Sequence, residues 1–146
     1  MDVTLDLAGF IELVHRHAHR HWSAMAADAG VSYSEFEYLS AIKDQEYRKT
    51  DRHDHGQHLQ DVVEAMGVRK ASASVMVVKL EERGWVRRVP CQYDARAQHI
   101  LLTGEGEARL EKGRTIYATV VQAVLSELNE TERRALAGVF GGTVNP

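Results

Sequence analysis

The sequence predicts a mainly α-helical chain with one small β-hairpin. Apolar residues recur at helical spacing through most of its 146 positions. Two short strand-like runs, 85–90 and 98–103, flank a polar turn. Capping residues and glycines separate the periodic segments: Ser32 and Asn129 each precede a glutamate by three positions, and Gly30, Gly67, Gly84 and Gly141 fall at the ends.

The first helix is expected over about 4–28, where Leu7, Phe10, Leu13, Val14, Trp22 and Met25 recur near helical spacing and Gly30 is the stop. Ser32 and Glu35 form a capping box that opens a second helix over about 33–43, with Phe36, Leu39 and Ile42 on one face. Residues 44–57 contain seven formal charges and no aliphatic side chain, which reads as a loop or a frayed extension with a loop behind it. A short third helix over 59–66 turns Leu59, Val62, Val63 and Met66 inward and stops at Gly67. The fourth runs from about Lys70 to Gly84 and buries Ala73, Met76, Val77 and Leu80 within one arc. The hairpin follows. A long fifth helix begins at 103–105 and extends to about Leu128, and a sixth, capped at Asn129, ends at Gly141.

Composition narrows the class. An apolar share of 44% and a charged share of 27% suit a soluble globular domain. No apolar run reaches the ~18 residues of a membrane span, and the acidic start MDVTLDLAGF lacks the basic region of a signal peptide. The single cysteine, Cys91, excludes an intrachain disulfide framework and fits a reducing cytoplasm. The net charge of −3 is unevenly spread: residues 68–100 carry seven basic and three acidic side chains, a local +4, which leaves −7 elsewhere. A basic segment in an acidic chain suits contact with a polyanion through one surface, or else a solvated charged face.

Two short helices joined around Gly67 and followed by a two-stranded hairpin spell a winged helix-turn-helix. The stretch GVRKASASVMVVKLEERGWVRR (67–88), with DARAQHILLTGEGE (94–107), closely resembles the MarR family of bacterial transcription regulators. The family's leucine-glutamate-x-arginine-glycine-leucine-valine run corresponds to Leu80–Val86, with Trp85 at the second leucine. Its wing pattern corresponds to Asp94, Arg96, Thr103 and Gly104 or Gly106. The resemblance covers about 32–110 by motif and the whole chain by helix order.

The resemblance implies a winged lobe at 32–103 and a helical dimerisation region at 1–30 and 104–146. It implies a homodimer on double-stranded DNA whose two lobes meet successive major grooves of a near-palindromic operator. A small aromatic or phenolic effector would enter a cleft lined by His17 and His21, the second helix and the start of the fifth. Activity is expected to be repressor-type regulation in the cytoplasm, with no enzymatic chemistry and no resident cofactor. The apolar stripe of the fifth helix, Leu110, Ile116, Val120, Val121, Val124, Leu125 and Leu128, is a separate argument for a dimer, since one short chain has little to cover it with.

DNA contact is expected along the fourth helix. Arg69 and Lys70 stand at its N-terminus, where the helix dipole also favours phosphate. Opposite the apolar arc lie Ala71, Ser74, Val75 and Val78, with Ser72 and Lys79 at the sides. The outward valines suit thymine methyls in a major groove, or contact with a neighbouring element. Many family members carry a basic residue at the position of Val75 and a small capping residue at that of Arg69. By resemblance, Asp94 orients Arg96, and Arg96 enters an A·T-rich minor groove. Of Arg87 and Arg88 at least one touches phosphate, and Arg88 is the favoured one.

Eight histidines leave a second question open. His15, His17, His19 and His21 lie along the first helix, with His17 and His21 on its apolar side. His53, His55 and His58 lie in or beside the charged segment, near Asp51 and Asp54. Either group can ligate metal or simply be structural, and His58 also falls at a helix N-cap. Cys91, close to Arg87 and Arg88, is a candidate redox switch or an inert thiol. A metal- or redox-responsive regulator and a winged-helix module that binds no DNA therefore stand as alternatives. A metalloenzyme lacks support, because HExxH, a phosphate loop and a nucleophile elbow are all missing.

Overall fold

The computed structural model describes residues 5–47, 58–92 and 96–141. Six helices and two strands follow in the order α1 (Leu7–Ala29), α2 (Tyr33–Tyr47), α3 (Leu59–Met66), α4 (Lys70–Glu82), β1 (Val86–Pro90), β2 (Gln98–Leu102), α5 (Gly104–Glu127) and α6 (Glu130–Phe140). The mainly α chain with a hairpin wing is thus the observed architecture. Asp94 and most of the charged segment, with His53 and His55, lie outside the described residues. The second helix runs four residues further than the periodicity predicts, to Tyr47.

The chain divides into two compact units, one of residues 29–113 and one of 1–28 with 114–146. In the first, α2, α3, α4 and the antiparallel hairpin pack on one another. Leu39, Ile42, Val62, Val77, Leu80 and Ile100 are among its most deeply buried side chains. The expected inward residues Leu59, Val63 and Met66 are only half-buried, because α3 is short and has few turns to press on this core, and Met76 of α4 is half-buried too. Val86 pairs with Leu102 and Val89 with His99, so the hairpin alternates faces, and Val86, Ile100 and Leu102 form its buried face.

Local rules account for most boundaries. The Ser32 hydroxyl accepts from the Glu35 N–H at 3.1 Å while the Glu35 carboxylate accepts from the Ser32 N–H at 2.9 Å, the reciprocal capping box. Asn129 and Glu132 repeat it at α6, at 2.9 and 3.1 Å. Gly67 ends α3 in the left-handed region, φ 64°, which a side chain would resist.

The junction between α4 and the hairpin is tight. The Trp85 N–H donates to the Leu80 carbonyl at 2.9 Å, and the Trp85 carbonyl accepts from the Thr103 N–H at 3.0 Å. The Thr103 hydroxyl donates to the Gly84 carbonyl at 2.6 Å and accepts from the Gly106 N–H at 3.1 Å, opening α5. Gly106 must lack a side chain, since a Cβ there would stand 2.0 Å from the Trp85 carbonyl oxygen.

In the second unit, Leu13 of α1 packs with Val120, Val124, Leu125 and Leu128, and Phe10, Val14 and Leu136 close around them. Most of the α5 stripe is therefore buried within a single chain. Only Val121 among its seven members is exposed, which removes the stripe as an argument for a dimer. Besides Val121, the large apolar groups of this unit that face solvent, among the described residues, are Leu7 and Ile11 of α1 and Val139 and Phe140 of α6.

Gly106→Ala should force the Trp85 carbonyl to move and destabilise the fold by about 2 kcal/mol. Thermal unfolding checks this: a melting temperature within a degree of the parent would show that the approach is not as tight as described.

Candidate nucleic-acid interface

Helix α4 is the second helix of the turn motif, and its two faces differ in kind. Ala73, Val77 and Leu80 are fully buried. Arg69, Lys70, Ala71 and Ser72 are exposed, Ser74 is half-buried, and Val75 is 72% exposed. Val78, at 41%, is exposed beside it. Ser74, Val75, Val78, Lys79 and Glu82 line a shallow depression on this outer face. Arg69 is the N-cap but its side chain makes no capping hydrogen bond, so the first-turn N–H groups are left to outside acceptors.

The basic residues at the far end of α4 have inward business. The Glu35 side chain is almost fully buried and bonds the Arg83 guanidinium, while the Lys79 ammonium lies 3.7 Å from it. Burial alone would push the Glu35 carboxyl up, but hydrogen bonds from Ser32 and the charges of Arg83 and Lys79 outweigh it and hold the group below the usual carboxylate range. Arg83 also stands over the Trp85 ring, 4.9 Å from its centroid, as does Arg109 at 5.4 Å. Arg88 is half-buried and pairs with Glu81 at 3.4 Å. Lys79 and Arg88 thus have part of their charge already engaged within the unit. Arg87, one position earlier on β1, is exposed, as is Arg96 where the chain enters β2.

The MarR family model matches residues 29–97. The matched segment is just under half of the 146-residue chain. Among curated relatives, the HTH-type transcriptional regulator PecS of Dickeya dadantii (strain 3937) is 29% identical over 80 residues, covering 55% of this chain. That match spans about half of PecS, 48% of its length. A cysteine-to-serine mutant of MarR from E. coli, solved with operator DNA, superposes with a TM-score of 0.65 at 18% identity, covering 95% of this chain and 94% of that one. BpsR from Bordetella bronchiseptica, solved to explain regulation of its DNA binding by 6-hydroxynicotinic acid, gives 0.63 at 19%, covering 100% and 98%. At these identities the structures establish the fold.

The four histidines of α1 do not share one side of the helix. On α1, His17 is buried and its Nε2 lies 3.0 Å from the Glu127 carboxylate. His21 Nδ1 is turned back to the His17 carbonyl at 2.7 Å, so the two rings do not converge on one point. His15 and His19 are exposed. His53 and His55 lie outside the described residues, while His58 meets Cys91 and His99, a histidine outside both sequence clusters. Their positions in sequence are remote, and only the hairpin register brings them together.

Glu35→Gln should lower the melting temperature at neutral pH, since it leaves buried donors facing a neutral amide. The carboxyl titrates lower in the folded chain than in the unfolded one, so its contribution is complete above pH ~4.5 and fades as pH falls through the folded value. Melting curves of parent and variant should therefore converge in acid. A gap that stays constant from pH 7 to pH 3 would show that the charge is not what Glu35 contributes.

Proposed function

We propose that the chain is a transcriptional regulator, acting as a repressor, that binds a near-palindromic operator as a homodimer. The carrying observation is the outer face of α4: exposed Arg69 and Lys70 at an uncapped N-terminus, then Ser72, Ser74 and Val75 facing outward beside them. Cations and open N–H groups suit phosphates, and hydroxyl and methyl groups suit base edges in a major groove. Exposed Arg96 fits the minor-groove role of the wing arginine, with Asp94 as its orienting partner. Lys79 and Arg88 serve at the border, holding the frame while facing the same polyanion.

Residues 32–103 are read as the DNA-binding lobe, and 1–30 with 104–146 as the dimerisation region. The exposed Leu7, Ile11, Val139 and Phe140 support the second assignment, because large apolar groups in one unit of a chain call for cover. A small aromatic or phenolic effector is assigned to the neighbourhood of His17 and His21. His17 Nδ1 is buried with no hydrogen-bond partner among the described residues, a place for a polar ligand atom. A regulator of this kind works on chromosomal DNA in the cytoplasm and performs no catalysis. Among the described residues no helix is long and apolar enough to cross a membrane.

Fluorescence anisotropy on the DNA just upstream of the chain's own coding sequence, at two salt concentrations, tests the proposal. Binding should be tight and fall steeply with salt. Arg96→Ala should weaken it tenfold or more, with little change in melting temperature. No binding to that fragment or to pooled genomic DNA would leave a winged-helix module that contacts something else. Val75→Ala should change the preference at one or two thymines in a base-substituted operator series. An unchanged profile would remove the methyl contact.

A further inference from the structure

His58, Cys91 and His99 come from three different places in the fold. His58 stands at the N-cap of α3, Cys91 just beyond β1, and His99 within β2. Their nitrogen and sulfur ligand atoms all lie within 4.8 Å of one another. Cys91 is buried, and so are the Nε2 atoms of both histidines. The two imidazole rings meet edge to face, 4.8 Å between centroids.

The hairpin explains the convergence. His99 pairs with Val89, and Cys91 follows two residues after Val89, so alternation returns Cys91 to the same face as His99. The Cys91 N–H donates to the Ala97 carbonyl at 3.2 Å, which keeps that register beyond the strand. The start of α3 then brings His58 against β2. The His58 N–H donates to the Asp61 carboxylate at 3.0 Å, and the other Asp61 contact is with its ring, Nδ1 standing 3.8 Å from Oδ2. A carboxylate behind one ring nitrogen, with the other nitrogen buried toward the cluster, is the arrangement that orients metal-binding histidines.

We propose that His58, Cys91 and His99 form a binding site for a zinc-class divalent cation that fastens the hairpin to the start of α3. Two imidazoles and one thiolate are the borderline-soft donor set that zinc prefers. Bonds of about 2.0–2.3 Å in a tetrahedral site place ligand atoms roughly 3.3–3.7 Å apart, so closure needs a movement on the order of 1 Å, within the reach of side-chain rotation. On binding, the Cys91 thiol releases its proton to solvent and the sulfur bonds the cation; the fourth position is left for a water. Because the hairpin leads to Arg96, the same cation would steady the wing; that consequence, unlike the site itself, rests on the DNA-binding reading.

Cobalt(II) titration of the reduced, chelator-stripped full chain without DNA tests the site. The expected result is a thiolate-to-cobalt charge-transfer band with visible bands of tetrahedral intensity, saturating at one cobalt per chain and abolished by one equivalent of zinc. Cys91→Ser should lose the charge-transfer band, and His99→Gln should weaken cobalt binding at least tenfold. His15→Gln with His19→Gln, both exposed on α1, should leave the band unchanged. In the unaltered chain, zinc should slow alkylation of Cys91 by iodoacetamide at least tenfold, a readout independent of whether the variants fold. Cobalt bound without a sulfur band, or zinc that gives Cys91 no protection, would overturn the proposal and leave only adventitious histidine binding.

Discussion

The backbone around Trp85 is the constraint on which the winged unit depends. Its N–H is tied to the last turns of α4 and its carbonyl to Thr103, at the point where the hairpin returns. Thr103 in turn caps α5. One residue thereby fixes where the hairpin leaves α4 and where it re-enters a helix. The ring adds a second restraint, being buried with two guanidinium groups against it. A two-stranded hairpin is marginal by itself; here both of its ends are clamped at the same residue, and its inner face is buried with the helices.

A buried carboxylate divides the charges of α4. Glu35 begins as a capping residue for α2, a role set by its spacing from Ser32, and ends as the counter-ion for Arg83 and Lys79. The basic side chains near the C-terminal end of α4 therefore hold the unit together. Those at the N-terminal end, Arg69 and Lys70, form no ion pair among the described residues and keep their charge for the outside. Charge counting along the sequence cannot separate these two populations, since both add the same +1 to the local total. Only the position of the buried carboxylate distinguishes them.

What the sequence revealed and what it hid follow from the range of the forces involved. Capping boxes and left-handed glycines act over three or four residues, so Ser32, Glu35, Gly67, Asn129 and Glu132 could be read directly. The α2 extension to Tyr47 could be read only as one of two alternatives, because charged residues such as Lys43 look solvated until their partners are known. Lys43 reaches Glu46 at 3.0 Å and Glu107 at 2.5 Å, and the second of these is 64 residues away. The meeting of His58, Cys91 and His99 was hidden for the same reason. It depends on hairpin register and on which end of α3 meets the sheet, and neither is written in local spacing. The sides taken by the α1 histidines, by contrast, could be read from spacing: on a helix, i and i+2 point to different sides, and His17 is buried while His15 and His19 are exposed, as expected.

The apolar stripe of α5 shows that a correct periodicity does not name the surface that covers it. A stripe establishes that a helix face must be buried, not what buries it. Leu13, Phe10 and Leu136 of the same chain do so here. The question of a second copy then shifts to groups that the chain leaves uncovered. Leu7 and Val139 line one groove between the start of α1 and α6, and Ile11 is exposed one turn further along α1. Each large aliphatic group taken out of water contributes about 1.5–3 kcal/mol, so a handful of them, met by the same set on a symmetric partner, is a sizeable driving force. The residues with most to gain from a partner are therefore on α1 and α6, not on the stripe of α5.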